Sequence, residues 1–371
     1  MKELILKTEL HSFRTCREFA ETFALGADDL ILTIRPLYEK YFQPLSLPLK
    51  ALFIEDFGLG EPTDTMTDAM IDAAEKAGFR RLIAAGGGSV IDIAKVVAAA
   101  GGKHIDELYA APSDIRRSKG FVILPATCGT GSEVTNISII NRTRVGTKMG
   151  LVSDALFADA AALIPELLEG LPYESFAASS ADALIHAVES ALSPKATPFS
   201  KLLSYRAIEM IISNYSVIAA KGREARIEML ASFLAAANYA GIAFGTAGCA
   251  AVHALSYPFG GKYHVPHGES NYAVFTGVMK NYIEIKKDGE MAVMMGFIAS
   301  LLGAEPSEAW DGLDTLLGRI LPKRSLREYG VREDELEEFA DSVIECQQRL
   351  MANSFVPLDK DRVLKIYREL Y

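Results

Sequence analysis

The chain has 371 residues, of which 50% are hydrophobic and 23% are charged, and its formal net charge is -10. This length exceeds the usual size of a single hydrophobic core and predicts two domains. The negative charge and the lack of a basic run argue against nucleic acid or an anionic membrane as a partner. Four scattered cysteines and a charged N-terminus without an apolar signal region predict reduced thiols and a cytoplasmic location.

Short apolar runs alternate with amphipathic stretches in the first half of the chain, a pattern typical of an α/β domain. The patterns predict strands at 28–33, 50–58, 80–88 and 120–134, and further short strands within 148–166. Helices are predicted between these strands at 36–45, 63–78 and 89–100. Two of the strands, 80–88 and 120–134, run into glycine-rich loops.

The strand pattern fades after residue 171, and helical periodicity takes over. The predicted helices are 177–193, 199–220, 223–256, 271–286, 289–303, 306–320, 333–352 and 360–370. We therefore expect an α/β domain over 1–171 and an all-helical domain over 172–371.

A segment without Asp, Glu, Lys or Arg lies between Glu228 and Lys262 and is long enough to suggest a membrane helix. It contains polar residues, several glycines and Pro258, and it lacks flanking aromatic belts, so we interpret it as a buried helix. We expect His253 to end that helix, Pro258 to terminate or kink it, and Gly260-Gly261 to form a turn.

Two glycine-rich loops each join a strand to a helix. "AAGGGSVIDIAK" (84–95) places bare backbone before a helix whose first amides and dipole favour an anion. "PATCGTGSEVT" (125–135) repeats this arrangement with several hydroxyls. Neighbouring parallel strands would bring both loops to one crevice, which favours a cofactor containing a pyrophosphate over two ordinary tight turns. Neither loop matches the Rossmann or Walker fingerprints.

A carboxylate and three histidines form a second candidate site. In "SSADALIHAVES" (179–190), Asp182 and His186 lie four residues apart and share one face of an apolar helix. "HALSYPFGGKYHVPHG" (253–268) adds His253 and His267, fourteen residues apart. Three imidazoles and one carboxylate suit Fe(II), Zn(II) and related divalent ions. The alternative is that these are separate, hydrogen-bonded core histidines.

Together these stretches resemble the iron-containing (group III) alcohol dehydrogenase family, in the same order and spacing. The resemblance implies an N-terminal dinucleotide-binding α/β domain, an all-helical metal-binding and substrate domain, and an active site in the cleft between them. It implies a divalent metal, Fe(II) or Zn(II), held by Asp182, His186, His253 and His267. It also assigns cofactor-binding roles to Gly87, Gly88, Ser89, Asp92, Thr127, Cys128, Thr130, Ser132 and Lys148.

Further stretches, among them "GLGEPTDTM", "NYAGIAFGTAG" and "LREYGVREDELEEFADSVIECQQRL", are similar to the family's NAD-dependent dehydrogenases of 4-hydroxybutyrate. This resemblance implies hydride transfer between 4-hydroxybutyrate and succinic semialdehyde as small-molecule substrates, and a homo-oligomer of at least two chains. Three alternatives stay open. They are another small primary alcohol, diol or aldehyde as substrate, the related dehydroquinate synthases and glycerol-type dehydrogenases, and a non-catalytic metal- and nucleotide-binding relative.

The chain departs from the family pattern in two places. Ile34 and Arg35 stand where family members commonly carry an acid that favours NAD, and an arginine there suits the 2′-phosphate of NADP. Tyr257 stands where many members have a histidine, and His264 lies close by, so either residue is a candidate proton relay. Lys262 is a candidate partner for the substrate carboxylate, but it is equally interpreted as a solvated loop lysine.

Overall fold

The computed structural model describes residues 3–58 and 60–371, which divide into two units. The α/β unit is Leu6–Leu171, and the helical unit is residues 3–5 together with Pro172–Tyr371. The sequence patterns did not predict that residues 3–5 belong to the helical unit.

The α/β unit is built on a six-stranded parallel sheet with the strand order β1-β8-β5-β4-β2-β3. The central strands are almost continuously apolar because both faces of such a sheet are covered. A separate antiparallel pair is formed by β6 and β7. The strands are β1 Glu9–Ser12, β2 Asp29–Thr33, β3 Lys50–Phe53, β4 Arg81–Gly86, β5 Gly120–Pro125, β6 Ile137–Arg142, β7 Thr147–Val152 and β8 Ala160–Leu163.

The helices of this unit place the two glycine-rich loops. They are α1 Cys16–Thr22, α2 Arg35–Leu37, α3 Asp64–Ala77, α4 Gly88–Ala99 and α5 Ile105–Ala110. The stretch predicted as one helix at 36–45 is helical throughout but divided: α2 contains its first two residues, and a π-helix over Tyr38–Phe42 and a 3-10 turn over Gln43–Leu45 follow. Gly86 pairs with Pro125 at the ends of β4 and β5, so the loops that follow these strands begin side by side.

The helical unit is organised around α6, which is buried along most of its length and packs against α7, α8 and α10. Its helices are α6 Tyr173–Leu192, α7 Pro198–Lys221, α8 Leu230–Ala247, α9 Ala251–Lys262, α10 His267–Ile285, α11 Glu290–Leu302, α12 Ala309–Ile320, α13 Leu336–Cys346, α14 Gln348–Met351 and α15 Lys360–Leu370.

The prediction of a single helix over 223–256 is wrong. Residues Arg223–Met229 form a 3-10 turn, and α8 ends at Ala247. The next residue, Gly248, has a φ of 81°, which lies in the left-handed region that favours glycine. His253 therefore lies in the first turn of α9 rather than at the end of a long helix. Pro258 lies inside α9, and the predicted turn at Gly260-Gly261 is helical.

One helical stretch, Arg223–Ala247, is long and apolar enough to cross a membrane by length and composition alone. In this structure 56% of its most apolar window is buried, and α8 packs against α6 and α7. Its small residues allow this close approach, as expected for a buried helix of a globular unit.

Candidate metal centre and nucleotide-binding loops

Three helices bring together the carboxylate and the three histidines singled out by the sequence. Asp182 and His186 are on consecutive turns of α6, His253 is in the first turn of α9, and His267 is the first residue of α10. One ligand atom from each of the four side chains lies within 4.8 Å of the others. Asp182, His186 and His253 are buried, whereas the side chain of His267 is 39% exposed and leaves the site open on that side.

The polar atoms of the four side chains face one another. The Nε2 atoms of His186 and His253 are 3.0 Å apart. Asp182 Oδ1 lies 3.8 Å from Nε2 of His253 and 3.7 Å from Nε2 of His267. Nitrogens and carboxylate oxygens that converge at this spacing form a donor set for one small cation.

Two neighbouring side chains hold the candidate ligands in place. Glu189, fully buried one turn after His186, accepts hydrogen bonds from Nδ1 of His253 at 2.6 Å and from the backbone N–H groups of Ala250 and Val252. Asn271 donates from Nδ2 to Asp182 Oδ1 at 2.8 Å. An imidazole that donates one nitrogen to a carboxylate presents its other nitrogen in a fixed direction, as metal sites require.

The electrostatics of Asp182 and His186 suit a cation. Burial lowers the pKa of His186 to about 4, so this imidazole is neutral at pH 7. Burial opposes ionisation of Asp182, but the three imidazoles and Asn271 outweigh burial and hold the pKa of this carboxyl below its usual range. Metal ligation needs neutral imidazoles and an ionised carboxylate. The residues present therefore fit a divalent ion with one oxygen and three nitrogen ligands.

The two glycine-rich loops lie next to each other in the α/β unit. A Cβ on Gly87 would lie 3.1 Å from Cγ2 of Thr127, and one on Gly88 would lie 2.9 Å from Cγ2 of Thr130. Glycine is therefore needed where the second loop crosses the start of α4. Gly87 caps α4 without a side-chain hydrogen bond, and the first turn carries no acid. This helix N-terminus fits a phosphate group.

A buried polar network ties the second loop to α4. Lys95, fully buried, donates to Ser132 Oγ at 2.7 Å, to Thr135 Oγ1 at 3.0 Å and to the carbonyl of Ile137 at 2.7 Å. Asp92 accepts from Ser132 Oγ at 2.8 Å. Burial lowers the pKa of Lys95 to about 8. Asp92 and Ser132 thus have protein partners that fix the shape of the loop.

The remaining predicted residues are more dispersed. Ser89 lies in the first turn of α4 and Cys128 is buried in the second loop. Lys148 lies on β7 and forms an ion pair with Glu61 at 2.7 Å. His264 is exposed, has a φ of 53°, and has no recorded contact with the four candidate ligands in the part of the chain that the structure describes.

Tyr257 lies one turn after His253 on α9, and its ring centre is 6.1 Å from that of His267. Burial raises the pKa of its phenol, so the hydroxyl stays protonated at neutral pH. Of the two candidate proton relays, Tyr257 is thus the one that the structure brings close to a candidate ligand.

The sequence analysis gave no role to Glu189, Asn271 or Lys95. The motif "DALIHAVES" contains Glu189 three residues after His186, and the first glycine-rich motif ends on Lys95. Their spacing on the helices was the only available signal, since the hydrogen bonds depend on the packing of other elements.

Comparison with known proteins identifies the class. Residues 15–165 match the family described as iron-containing alcohol dehydrogenase, and residues 176–371 match the C-terminal part of the Fe-containing alcohol dehydrogenase family. The chain therefore belongs to the iron-containing alcohol dehydrogenase family.

Among individual relatives, the chain is 44% identical to the 4-hydroxybutyrate dehydrogenase of Clostridium kluyveri over the full length of both. It is 32% identical to long-chain-alcohol dehydrogenase 1 of Geobacillus thermodenitrificans, covering 95% of this chain and 91% of that one. The fold matches the sulfoacetaldehyde reductase of Bifidobacterium kashiwanohense in complex with NAD+, with a TM-score of 0.84, 21% identity and coverage of 100% and 98% of the two chains.

Proposed function

We propose that this chain is a metal-dependent oxidoreductase that interconverts 4-hydroxybutyrate and succinic semialdehyde with NAD(H). The main support for the chemistry is the convergence of Asp182, His186, His253 and His267 within one helical unit. The support for the substrate is the full-length similarity to the enzyme of Clostridium kluyveri. The metal that we propose is Fe(II), with Zn(II) as the alternative that the same ligands accept.

Each part of the site has a defined task in this proposal. A divalent ion supplies Lewis acidity toward a substrate oxygen, and a nicotinamide supplies or accepts the hydride. Asp182 and the three histidines hold the ion, while Glu189 and Asn271 orient two of these ligands. The N-terminus of α4 and the loop that contains Thr127 and Thr130 bind the cofactor phosphates. Tyr257 passes the proton between substrate and solvent.

NAD is the proposed cofactor although the acid expected at position 34 is absent. The side chain of Arg35 pairs with Asp56 at 2.5 Å, and its guanidinium stacks on the ring of Phe53 at 4.4 Å. Its backbone N–H donates to Glu55. The positive charge of Arg35 is therefore already compensated, and two carboxylates beside it disfavour the 2′-phosphate of NADP.

The test is the anaerobic reduction of succinic semialdehyde by metal-stripped protein to which Fe(II) or Zn(II) is added. NADH and NADPH oxidation are followed separately. We expect metal-dependent oxidation of NADH, and its loss when Asp182→Ala and His267→Ala are combined. Turnover of simple primary alcohols or diols without turnover of succinic semialdehyde would contradict the proposed substrate and leave the family assignment intact.

A further inference from the structure

Lys95 is a fully buried cation of the α/β unit to which the proposed chemistry gives no task. Its ammonium has three hydrogens and meets three acceptors, Ser132 Oγ at 2.7 Å, Thr135 Oγ1 at 3.0 Å and the carbonyl of Ile137 at 2.7 Å. Ser132 and Thr135 belong to the second glycine-rich loop, and Ile137 begins β6. Because a buried polar group that loses its partner costs free energy, this ammonium holds the three acceptors at a fixed spacing.

The charge of Lys95 is balanced by two carboxylates. Burial lowers the pKa of Lys95 to about 8, while Asp92, one turn earlier on α4, and Glu133, in the second loop, oppose this shift. The side chain is therefore an ammonium at pH 7, with all three hydrogens available for the contacts listed above.

A short series of contacts joins Lys95 to the proposed phosphate site at the start of α4. Ser132 accepts from Lys95, and its backbone N–H donates to Thr130 Oγ1 at 3.3 Å. Thr130 lies against Gly88, where an added Cβ would be 2.9 Å from Thr130 Cγ2. Two hydrogen bonds, both made by Ser132, thus connect Lys95 to a side chain that borders the N-terminus of α4.

The polarity of these hydrogen bonds determines what Thr130 can offer a ligand. The ammonium of Lys95 can only donate to Ser132 Oγ, so the Ser132 hydroxyl donates to Asp92 Oδ1, at 2.8 Å. The oxygen of Thr130 accepts from the N–H of Ser132, so the hydroxyl hydrogen of Thr130 can be donated to another acceptor. The acceptor that suits this helix end is a phosphate oxygen, because the N-terminus of α4 favours an anion.

A separate hydrogen bond ties α4 to β6 without passing through the loop. Ser138 Oγ donates to the backbone carbonyl of Asp92 at 2.8 Å. Ser138 is fully buried, like Lys95. Its replacement by alanine removes a buried hydrogen bond of the same helix but leaves the contacts of Ser132 and Thr130 in place. Ser138 therefore provides a matched control.

We infer that Lys95 is a positioning residue for the cofactor: it holds the second glycine-rich loop so that the hydroxyl of Thr130 donates to a phosphate of the dinucleotide at the start of α4. This inference rests on the proposed function, because it presupposes a cofactor with a pyrophosphate at that helix N-terminus. It assigns to the buried lysine a role in cofactor affinity and none in metal binding.

The experiment measures the equilibrium affinity of the metal-loaded protein for NADH at pH 7 by nicotinamide fluorescence. The kcat and the KM for NADH are measured with succinic semialdehyde in parallel. We expect Lys95→Met and Thr130→Val each to weaken NADH binding by about 10- to 100-fold, since each loses a hydrogen bond to a charged group or its support. The KM for NADH rises accordingly, kcat at saturating NADH does not fall, and Ser138→Ala keeps the wild-type affinity.

The double variant separates positioning from a general loss of structure. If Lys95 acts through Thr130, adding Thr130→Val to Lys95→Met weakens NADH binding little further, because the two changes remove one shared interaction. Two losses that multiply would overturn the inference, and so would a Lys95→Met protein that binds NADH as tightly as wild type.

Thr135→Val decides the matter if Lys95→Met does not fold. This change removes one acceptor of Lys95 and keeps the shape of the side chain, so it should weaken NADH binding by about 3- to 10-fold. Wild-type affinity in Thr135→Val would overturn the role of Lys95.

Metal content and the thermal unfolding midpoint are measured for every variant. Metal content should stay at the wild-type value, because the four candidate ligands belong to the helical unit. A wild-type protein that does not bind NADH would contradict the proposed function itself, and the role of Lys95 with it. A wild-type protein that binds NADH and reduces succinic semialdehyde, together with variants of unchanged affinity, would overturn the role of Lys95 alone.

Discussion

Replacing Glu189 by Gln tests whether a buried carboxylate orients the metal ligand His253. The two carboxylate oxygens accept three donors. Oε1 accepts from Val252 N at 2.6 Å, and Oε2 accepts from Ala250 N at 3.0 Å and from His253 Nδ1 at 2.6 Å. Glutamine offers one acceptor oxygen and one amide group that only donates. Whichever way the amide turns, at least one buried donor loses its acceptor.

The number of donors left without an acceptor determines the expected loss of stability. One buried donor without a partner lowers the free energy of unfolding by about 1–3 kcal/mol. Loss of the negative charge beside Nδ1 also weakens the orientation and basicity of His253, so the affinity for a divalent ion falls by about 10- to 100-fold. Urea unfolding of the metal-stripped protein measures the first effect, and equilibrium titration with Zn(II) measures the second. Glu345→Gln, at an exposed position on α13, is the control.

The reasoning would be refuted by a Glu189→Gln protein that binds Zn(II) as tightly as wild type and unfolds at the same urea concentration. A loss of stability without a loss of metal affinity would mean that Glu189 only satisfies the backbone at the start of α9. In that case the position of His253 would have to be fixed by packing, for example by the stacking of His186 on it with ring centres 4.7 Å apart.

Three further predictions concern other parts of the molecule. Gly268→Ala places a Cβ onto the carbonyl oxygen of Ala178, so it should lower the free energy of unfolding by about 2 kcal/mol and weaken metal binding. The control Gly261→Ala, whose Cβ would have no atom within 4 Å, should do neither. Equal effects of the two variants in urea unfolding would contradict the packing argument. The pKa of Lys95 is about 8 in the folded protein, against an ordinary value of 10.5, so between these pH values the unfolded state binds more protons. The stability of wild type relative to Lys95→Met should therefore rise by about 3 kcal/mol from pH 8 to pH 10.5. A difference in urea unfolding that stays flat over this range would rule this out. Asp56→Ala removes the ion-pair partner of Arg35, so the ratio of kcat/KM for NADPH to that for NADH should increase by about tenfold. An unchanged ratio would show that Arg35 does not face the cofactor.

The parts of the fold that the sequence predicted are those with a strong local signal. The strands β2, β4 and β5 are continuous apolar runs, because both faces of a central parallel strand are buried. The strand β1 was missed because it lies at the edge of the sheet and its residues are mostly exposed, which leaves no apolar run to read. The strand β6 and the helices α1 and α5 were also missed.

The break between α8 and α9 was hidden by the uniform apolar composition around it. Only the left-handed backbone of Gly248 marks it, and glycines are frequent throughout this segment. Pro258 was expected to end or kink a helix; it lies inside α9 and so does not end it. Proline leaves the carbonyl of Ala254, four residues earlier, without its helical donor, and in the same turn the hydroxyl of Tyr367 donates to the carbonyl of Leu255 at 2.7 Å. That partner comes from a helix more than a hundred residues away.

The candidate site also combines features that the local sequence predicted with features that depend on the packing of distant elements. The spacing of Asp182 and His186 on one helix placed both on one face, and the structure brings them together with His253 and His267. The hydrogen bonds of Glu189 depend on how α6 meets α9, which periodicity does not encode. Family resemblance supplied the pairing of distant segments that local pattern could not.

The most direct test of the account is the titration of metal-stripped protein with Fe(II) under anaerobic conditions, with bound metal and NADH oxidation by succinic semialdehyde measured in the same samples. The account predicts one ion per chain and turnover that rises in proportion to bound metal. Asp182→Asn should lose both together. Turnover that is independent of bound metal, or an Asp182→Asn protein that keeps a full complement of metal and full activity, would contradict it.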